Sequence, residues 1–226
     1  MPKVELIETK DGSSSLFLPE LNETYHSTHG ALTESQYVFV DKGFNYFQER
    51  NPEKAEINIL EIGFGTGLNA WLTAIAIQNL KLKVQYSSLE KFPLEPETIE
   101  QLNYKKGYSE KDQVLFDKIH LAEWNTEAEI SENFALTKLE TDIHEYSQET
   151  ESYDIIYFDA FAPSRQPDMW TPDVLKKMYH NCTHGAVFAT YCAQGQFKRD
   201  LKSVGFEIEE LPGPPGKKEM TRGVKI

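Results

Sequence analysis

The sequence predicts an α/β protein with a Rossmann-like, doubly wound and mostly parallel sheet of seven strands. Three observations predict this class. Beyond residue 56, short apolar runs alternate with stretches of helical character, as in parallel sheets flanked by helices. The run 57–62 is rich in isoleucine and nearly continuous, which is typical of a strand buried on both faces. A glycine-rich turn follows this run and leads into a helical stretch.

Each strand is assigned from its apolar run and from the turn residues that end it. The first six predicted strands cover residues 57–62, 84–90, 135–140, 153–160, 185–192 and 206–211. Residues 220–226 are expected to form a last strand, antiparallel beside the fifth. Predicted helices cover residues 68–80, 96–102 and 194–203, and another begins at Thr171, where a hydroxyl cap, a proline and an acid follow one another. The polar stretch 104–133 has no assignable pattern.

Residues 1–50 predict a small N-terminal extension of a domain that covers residues 51–226. Two short strands, 4–9 and 15–18, flank Asp11-Gly12, a pair that is typical of hairpin turns. Thr33 is expected to cap a helix. Asn51 and Pro52 then interrupt the chain before the sheet begins.

Length and composition limit the class of protein. The 226 residues are 39% hydrophobic and 12% aromatic, which is enough for the core of one globular domain. The longest apolar stretch, residues 70–77, is far shorter than the roughly 20 residues of a membrane span. The N-terminus shows no secretory signal, and only two cysteines, Cys182 and Cys192, are present. These features predict a cytoplasmic protein without membrane contact.

The net charge of the whole chain argues against a nucleic-acid partner. The chain carries a net charge of −13, whereas phosphate contacts favour basic surfaces. The distribution is uneven, however, because residues 95–151 hold 15 acidic and five basic side chains, and residues 196–226 hold five acidic and seven basic ones. A local positive face beside a negative flank is compatible with this pattern.

The first chemical motif joins an acidic strand end to a glycine turn: Glu61, Gly63, Gly65, Gly67 and Asn69. Glycines at alternate positions let the backbone turn tightly and approach a ligand closely. The third glycine comes one residue earlier than in the NAD fingerprint. The motif resembles the nucleoside-binding loop of class I S-adenosyl-L-methionine methyltransferases, and these five residues are the candidates for cofactor binding. The alternative is a tight turn without a ligand.

Further candidate cofactor residues follow the next two strands. Glu90 ends the second strand, 27 residues after Gly63, where Rossmann-type domains commonly place a carboxylate that accepts both ribose hydroxyls. Lys91 is next in the chain and belongs to the same candidate set. Asp142, after the third predicted strand, is the candidate acceptor for an adenine amino group, and Ile143 is the candidate for packing on the ring. Glu123 replaces Asp142 if the third strand lies earlier, near residues 117–121.

Asp159 closes the fourth predicted strand and is the catalytic candidate. An aliphatic run leads directly into this acid, and an aromatic residue and Pro163 follow. A carboxylate at this strand end would face both the cofactor and the substrate. Many amine methyltransferases hold the nucleophile at this strand end, so the resemblance implies that Asp159 orients a substrate ammonium and then, directly or through a neighbouring water, accepts its proton. The alternative is a carboxylate that only caps the turn. The pairs His26/His29 and His180/His184 have spacings that could bind a metal ion, but no cysteine or carboxylate cluster completes a site, so no metal is expected.

Three stretches resemble the methyltransferase part of the MnmC family, which completes 5-methylaminomethyl-2-thiouridine at the tRNA wobble position. They are FDAFAPSRQPDMW (158–170), LEKFPL (89–94) and KKEMTRGV (217–224). The opening stretch that contains Tyr25, Glu34 and Tyr37 is similar to the first motif of that family. The resemblance covers about residues 23–226 and implies a class I S-adenosyl-L-methionine-dependent N-methyltransferase that releases S-adenosyl-L-homocysteine.

The resemblance also implies partners and substrate contacts. Bifunctional members carry an FAD-dependent oxidase domain; because this sequence ends at Ile226, we expect no FAD here, and a separate oxidase or other tRNA-modification enzymes are candidate partners. The tRNA anticodon loop is the expected substrate. The candidate substrate-binding residues are Phe161, Pro163, Trp170, Lys217, Lys218, Glu219 and Met220.

Within that set, each candidate has an ordinary structural alternative. Phe161 and Trp170 are candidate walls for a flipped-out base, because unpaired tRNA bases stack on aromatic side chains. They are equally compatible with an ordinary core. Lys217 and Lys218 are candidate phosphate contacts, although a solvated loop is the alternative. Lys218 stands where the family often has arginine, so a bidentate contact is not expected there.

Two rival functions stay open on the sequence alone. The first is a methyltransferase, or a polyamine-synthase-like alkyl transferase, that acts on a small-molecule amine. Such a substrate suits the acidic composition better than tRNA does. The second is a nucleoside-binding module without enzymatic activity.

Overall fold

The computed structural model describes residues 3–147 and 151–226, and within them an eight-stranded sheet forms the centre of the protein. The strands of this sheet are β4 (Glu56–Ile62), β5 (Lys83–Glu90), β6 (Glu127–Ser131), β7 (Phe134–Glu140), β8 (Tyr153–Phe158), β9 (Cys182–Thr190), β10 (Phe206–Pro212) and β11 (Glu219–Lys225). Across the sheet their order is β10-β11-β9-β8-β4-β5-β7-β6. The predicted α/β class is confirmed.

The direction of the strands follows the sequence-based expectation, but their number does not. Strands β7, β5, β4, β8 and β9 run parallel, and β11 lies antiparallel beside β9 as predicted. The prediction of seven strands is wrong, because β6 adds an eighth, antiparallel to β7 at the edge. In its sequence EAEIS only Ile130 is buried. An edge strand this polar lacks the apolar alternation by which strands are recognised.

Helices cover both faces of the sheet. They are α3 (Leu68–Ala76), α4 (Pro96–Glu100), α5 (Glu110–Leu121), α6 (Pro172–Asn181) and α7 (Gly195–Ser203), with a 3₁₀ turn at Pro167–Trp170. The hydrophobic residues of α3 and α5 pack on one face, and those of α6 and α7 on the other. Thr171 caps α6 as predicted, since its side chain accepts a hydrogen bond from the backbone N–H of Val174. None of the helices within residues 3–147 and 151–226 is long and apolar enough to cross a membrane.

The N-terminal extension forms its own small sheet followed by a long helix. Strands β1 (Glu5–Glu8), β2 (Ser14–Leu18) and β3 (Glu23–Thr24) pair antiparallel, and the predicted hairpin around Asp11-Gly12 is confirmed. The prediction that Thr33 caps the helix is wrong, because the helix begins at Ala31. The cap comes instead from the hairpin, where Asp11 accepts hydrogen bonds from the backbone and the hydroxyl of Thr33.

The helix of the extension changes its hydrogen-bond pattern along its length. It comprises α1 (Ala31–Ser35), a π-helical segment (Gln36–Asn45) and α2 (Tyr46–Arg50). Its buried side chains, among them Val38, Phe39 and Phe44, belong to the same hydrophobic cluster as α3 and α5. The extension therefore packs on one face of the central sheet, while the boundary at residue 50 stays a prediction.

Candidate active site

A cavity of about 440 Å³ lies at the carboxyl ends of β4, β5, β7 and β8. These strands flank the point at which the strand order reverses, because the chain fills β4, β5 and β7 on one side before it returns to β8 and β9. Ligands of open α/β sheets bind at this point. The predicted residues that line the cavity are Gly63, Gly65, Asn69, Glu90, Lys91, Asp142, Ile143, Asp159 and Phe161.

The turn after β4 requires glycine for a steric reason. Gly63 has a φ of 93°, and a Cβ on it would lie 2.7 Å from the carbonyl oxygen of Asp159. The ends of β4 and β8 are therefore too close for any side chain between them. Gly67 begins α3 in the left-handed region and lies against His120 and Phe64. It contributes to the loop without lining the cavity.

Two acids at the ends of β4 and β8, Glu61 and Asp159, are joined by one amide. The side-chain Nδ2 of Asn69 donates to Oε1 of Glu61 at 2.9 Å and to Oδ2 of Asp159 at 2.8 Å. Ser88 donates its hydroxyl to the other oxygen of Glu61 at 2.6 Å. Glu61 is fully buried and does not line the cavity. It positions Asn69, which lies between it and the cavity.

Burial changes the proton affinity of both acids. It raises the pKa of Glu61 to about 8, and the charge of Asp159 adds to this effect. Burial likewise raises the pKa of Asp159 to about 7, with a further increase from the charge of Glu34. The hydrogen bond from Asn69 and the charge of Lys217 act in the opposite direction on Asp159. A carboxyl group with a pKa near neutrality can both release and accept a proton under physiological conditions.

The other end of the cavity holds a second set of carboxylates. Glu90 accepts hydrogen bonds from the backbone N–H groups of Gly65 at 3.1 Å and Phe92 at 2.9 Å, so it ties the glycine loop to the end of β5. Asp142 forms an ion pair with Lys91 at 2.7 Å, and the backbone N–H of His144 donates to its second oxygen. The hydrogen bond from Lys91 lowers the pKa of Asp142.

The loop that follows β7 is held by a lysine from the opposite side. The Nζ of Lys177 donates to the backbone carbonyls of Ile143 at 2.8 Å, His144 at 3.0 Å and Tyr146 at 2.9 Å. All three protons of the ammonium group can be used in this way. Because α6 supplies this lysine, the position of Asp142 depends on a helix that does not line the cavity.

The aromatic residues of the DAFAP stretch have two different environments. Phe161 lines the cavity and packs edge-to-face on Tyr25, with ring centroids 5.2 Å apart. Trp170 is buried among Phe158, Phe197 and Tyr191, and its indole N–H donates to the carbonyl of Phe161. Trp170 and Pro163 do not line the cavity. The structure therefore places Trp170 where it supports the loop from below.

The C-terminal motif lies next to the cavity rather than in its wall. Lys217 pairs with Glu34, and Lys218 has 93% of its side chain exposed. Glu219 pairs with Lys198 at 3.2 Å, whereas Met220 is fully buried in the hydrophobic cluster. These four residues do not line the cavity. Their predicted contact with substrate stays a prediction for all four residues; the structure itself shows ion pairs for Lys217 and Glu219 and hydrophobic packing for Met220.

The model of a protein family described as S-adenosyl-L-methionine-dependent methyltransferase matches residues 106–226, which is more than half of the chain. This chain belongs to that methyltransferase family. The match contains β7, β8 and the loops after them, which carry Asp142 and Asp159.

Relatives of this methyltransferase extend the similarity to the N-terminal half. The chain is 29% identical to the tRNA 5-methylaminomethyl-2-thiouridine biosynthesis bifunctional protein MnmC of Nitrosospira multiformis, over 93% of this chain and 35% of that protein. It is 32% identical to the MnmC protein of Cupriavidus necator, over 91% of this chain and 32% of that protein. The chain thus spans about a third of the length of these relatives.

A solved structure agrees with the methyltransferase fold. The crystal structure of MNMC2 from Aquifex aeolicus superposes with a TM-score of 0.81 and 27% sequence identity. The alignment covers 99% of this chain and 70% of that chain. The extension and the central sheet of this methyltransferase therefore share one arrangement with that protein.

The cavity of this methyltransferase fits the cofactor of its family. Its volume suits a nucleoside with an amino-acid tail, and its two ends offer the acceptors that such a molecule needs. The buried Oδ1 of Asn69 has no hydrogen-bond partner among residues 3–147 and 151–226, so it is an acceptor that a ligand ammonium can use. Within the same residues, no group of three or more His, Cys, Asp or Glu side chains is arranged to hold a metal ion.

Several cavity residues of the methyltransferase escaped the sequence-based reasoning. Leu18, Tyr25 and His26 come from the extension, and Tyr191 comes from the end of β9. The similarity of the opening stretch to a family motif pointed to Tyr25 and His26, but it did not predict what these residues do. Glu123, the alternative to Asp142, follows helix α5 instead of the third strand and does not line the cavity.

Proposed function

We propose that this methyltransferase transfers a methyl group from S-adenosyl-L-methionine to the primary amine of 5-aminomethyl-2-thiouridine at the tRNA wobble position. The observation that carries the proposal is Asp159, a carboxyl group with a pKa raised to about 7 at the reacting end of the cavity. The names of the MnmC relatives supply the substrate. Because the chain spans about a third of those proteins, only methylation is proposed for it.

Residues of this chain account for the binding of each part of the cofactor. The backbone turn with Gly63 and Gly65 accommodates the nucleoside, and Glu90 is the acceptor for the ribose hydroxyls. Asp142 and Ile143 hold the adenine end. Asn69 offers its buried Oδ1 to the amino-acid tail. When bound, S-adenosyl-L-methionine supplies an electrophilic methyl group on a sulfonium and leaves as S-adenosyl-L-homocysteine.

Asp159 handles the proton of the substrate amine. A primary alkylamine is mostly protonated near neutrality, and only its free lone pair can attack a methyl carbon. Asp159 first holds the ammonium and then accepts one of its protons, directly or through a water. The N–C bond forms as the S–C bond breaks, and the product is a secondary amine. A carboxyl group with a pKa near 7 is a better base for this step than one with an ordinary pKa near 4.

The walls of the cavity supply orientation. Phe161 and Tyr25 meet edge-to-face at the substrate side, and Trp170 fixes the carbonyl of Phe161 from below. A base that leaves the anticodon loop can stack on such an aromatic surface. Holding amine and methyl donor in line contributes roughly 7–11 kcal/mol to catalysis in favourable cases. We therefore assign positioning, and not acid–base chemistry alone, to this cavity.

The test is methyl transfer from labelled S-adenosyl-L-methionine to tRNA isolated from a strain that lacks this activity, followed by nucleoside analysis. We expect label in 5-methylaminomethyl-2-thiouridine, and binding that weakens steeply with salt. Label in another nucleoside, or none with a protein that binds S-adenosyl-L-homocysteine, contradicts the proposal.

The net charge of −13 favours one second candidate, methylation of a small cationic amine. An acidic protein attracts cations and repels tRNA. Polyamines and simple primary amines are therefore tested in the same assay at equal concentration. Faster transfer to a free amine than to the tRNA would select this candidate.

A further inference from the structure

Two sequence motifs that the catalytic scheme leaves unused meet in one partly buried ion pair. Glu34 belongs to the opening stretch of the extension, and Lys217 begins the C-terminal KKEM motif. The Nζ of Lys217 lies 2.5 Å from Oε1 of Glu34. Glu34 is 5% exposed, and its other oxygen accepts the backbone N–H of Ser27 at 2.7 Å. Both oxygens of the Glu34 carboxylate thus have partners inside the protein.

The ammonium of Lys217 connects this pair to the cavity wall. It lies over the ring of Tyr191, 3.5 Å from the ring centroid. Tyr191 lines the cavity, and its hydroxyl donates to the carbonyl of Ala160 at 2.8 Å. Ala160 is the residue after Asp159. An unbroken set of contacts therefore leads from Glu34 to the backbone beside the catalytic candidate.

The loop that carries Lys217 is fixed to the extension at further points. The hydroxyl of Tyr37 donates to the carbonyl of Pro212 at 2.9 Å. Gly216 has a φ of 87°, and a Cβ on it would collide with the ring of His29. These contacts fix the backbone of the loop that leads to Lys217, whereas its neighbour Lys218 is almost fully exposed.

We propose that Glu34 and Lys217 are a positioning pair for Asp159, and that Lys217 supplies the internal counter-charge of the substrate end instead of binding tRNA phosphate. The inference rests on the proposed function, because it assumes that Asp159 handles the proton of the substrate amine. It assigns phosphate contact to Lys218 alone within the motif.

The charges around Asp159 explain why a counter-charge is needed. The titratable side chains that interact with Asp159 are Glu34, Glu61, Tyr86, Tyr191 and Lys217. Lys217 is the cation in this set. His26 lies near the ion pair, and burial lowers its pKa to about 4, so it is neutral at pH 7. Without Lys217, burial and the charge of Glu34 would keep Asp159 protonated at neutral pH and unable to accept a proton.

The test compares the pH dependence of kcat/KM, which reports the groups of the free enzyme, in three variants. We expect the midpoint for Lys217→Gln to move to higher pH by roughly one unit, because the stabilising cation is removed. The midpoint for Glu34→Gln should move to lower pH, because a repelling anion is removed. The double variant should return close to the parent midpoint. Shifts in the same direction, or none in folded variants, overturn the proposal.

Lys218→Gln is the matched control. The salt dependence of tRNA binding should become shallower in Lys218→Gln, by somewhat less than one unit of slope, and stay unchanged in Lys217→Gln. The reverse result makes Lys217 a phosphate ligand and overturns the proposal. Lys217→Arg keeps the charge and should keep the midpoint. Either single variant predicts a sign, so the test survives if one of them fails to fold.

A second readout separates this inference from the proposed function. The carboxyl carbon of Asp159 is followed by NMR in protein labelled at aspartate, and its signal is assigned by its loss in Asp159→Asn. Opposite shifts of its titration in the two single variants support the pair even if tRNA is not methylated. Methylation without these shifts leaves the proposed function standing and removes the pair.

Discussion

The two ends of the cavity each present an aspartate, and the protein treats the two carboxyl groups in opposite ways. Asp142 lies at the end that we propose for adenine, where the hydrogen bond and charge of Lys91 lower its pKa. Asp159 lies at the end that we propose for the reaction, where burial raises its pKa to about 7. Both follow parallel strands of the same sheet, β7 and β8.

The difference shows that position at a strand end does not fix the chemistry of an acid. A partly exposed acid beside a lysine stays ionised and is suited to accept hydrogen bonds from a ligand. A buried acid that shares an amide with a second acid exchanges its proton near neutral pH. The proposed function therefore assigns ligand binding and proton transfer to different acids of one cavity, and the following variants test that separation.

The largest effect is expected for Asp159→Asn. An amide cannot accept the substrate proton, so kcat should fall by about 100-fold or more, whereas affinity for S-adenosyl-L-homocysteine should stay close to that of the parent. In the parent, kcat/KM should rise with pH through about 7, because Asp159 of the free enzyme is a base only when ionised. This limb should vanish in the variant. A kcat within threefold of the parent would remove Asp159 from the mechanism.

Gly63→Ala should disturb the close approach between the ends of β4 and β8, on which the cavity depends. The new Cβ would lie 2.7 Å from the carbonyl oxygen of Asp159, and the φ of 93° is unfavourable for alanine. We expect a loss of unfolding free energy of about 2 kcal/mol or more, measured by denaturant titration. Gly107→Ala is the control, because Gly107 has a φ of 86° with nothing within 4 Å. Equal losses in both variants would show that only backbone strain matters.

Lys177→Gln should affect the adenine end alone. One amide cannot satisfy the carbonyls of Ile143, His144 and Tyr146 together, so the loop with Asp142 loses its anchor. Affinity for S-adenosyl-L-homocysteine should fall by about tenfold, measured by calorimetry, while kcat at saturating cofactor stays near that of the parent. The exposed neighbour Lys176 provides the control Lys176→Gln. A loss of kcat without a loss of affinity would contradict this role.

Glu61→Gln should have the smallest effect on activity at pH 7. Glu61 is mostly protonated there, since burial raises its pKa to about 8, and glutamine has the same shape. A carboxyl with a raised pKa stabilises the fold below its unfolded pKa near 4.5 and loses that contribution as pH rises through about 8. The variant should therefore lose less unfolding free energy than the parent between pH 5 and 8.5. An identical pH dependence would show that Glu61 is already ionised at pH 5.

The sequence predicted the parts of the fold that have strong local signals. Buried parallel strands are apolar runs, so β4, β5, β7, β8 and β9 were found close to their observed bounds. The glycine turn and the acids after each strand followed from them. The edge strand β6 was missed because its residues are polar, and Thr33 was misplaced because the cap of that helix comes from Asp11, 22 residues away.

The site was predicted less completely for the same physical reason. Residues at strand ends converge because the sheet brings them together, so Glu90 and Asp159 were recoverable from spacing. Contacts between distant segments leave no local pattern. The pairing of Glu34 with Lys217, 183 residues apart, and the hold of Lys177 on the adenine loop required the folded chain. The sequence left Trp170 open between a substrate contact and the core, because aromatic residues suit stacking and packing alike; the structure buries its side chain.

The π-helical segment at Gln36–Asn45 connects α1, which carries Glu34, to residues that pack against α3, β8 and β9. Its far end is fixed, because a Cβ on Gly43 would lie 2.9 Å from the ring of Tyr157. Deletion of one residue from this segment would change the rotation of α1, which carries Glu34, relative to Gly43. Glu34 would then point away from Lys217. One deletion in a segment that does not line the cavity would thereby break the ion pair between Glu34 and Lys217.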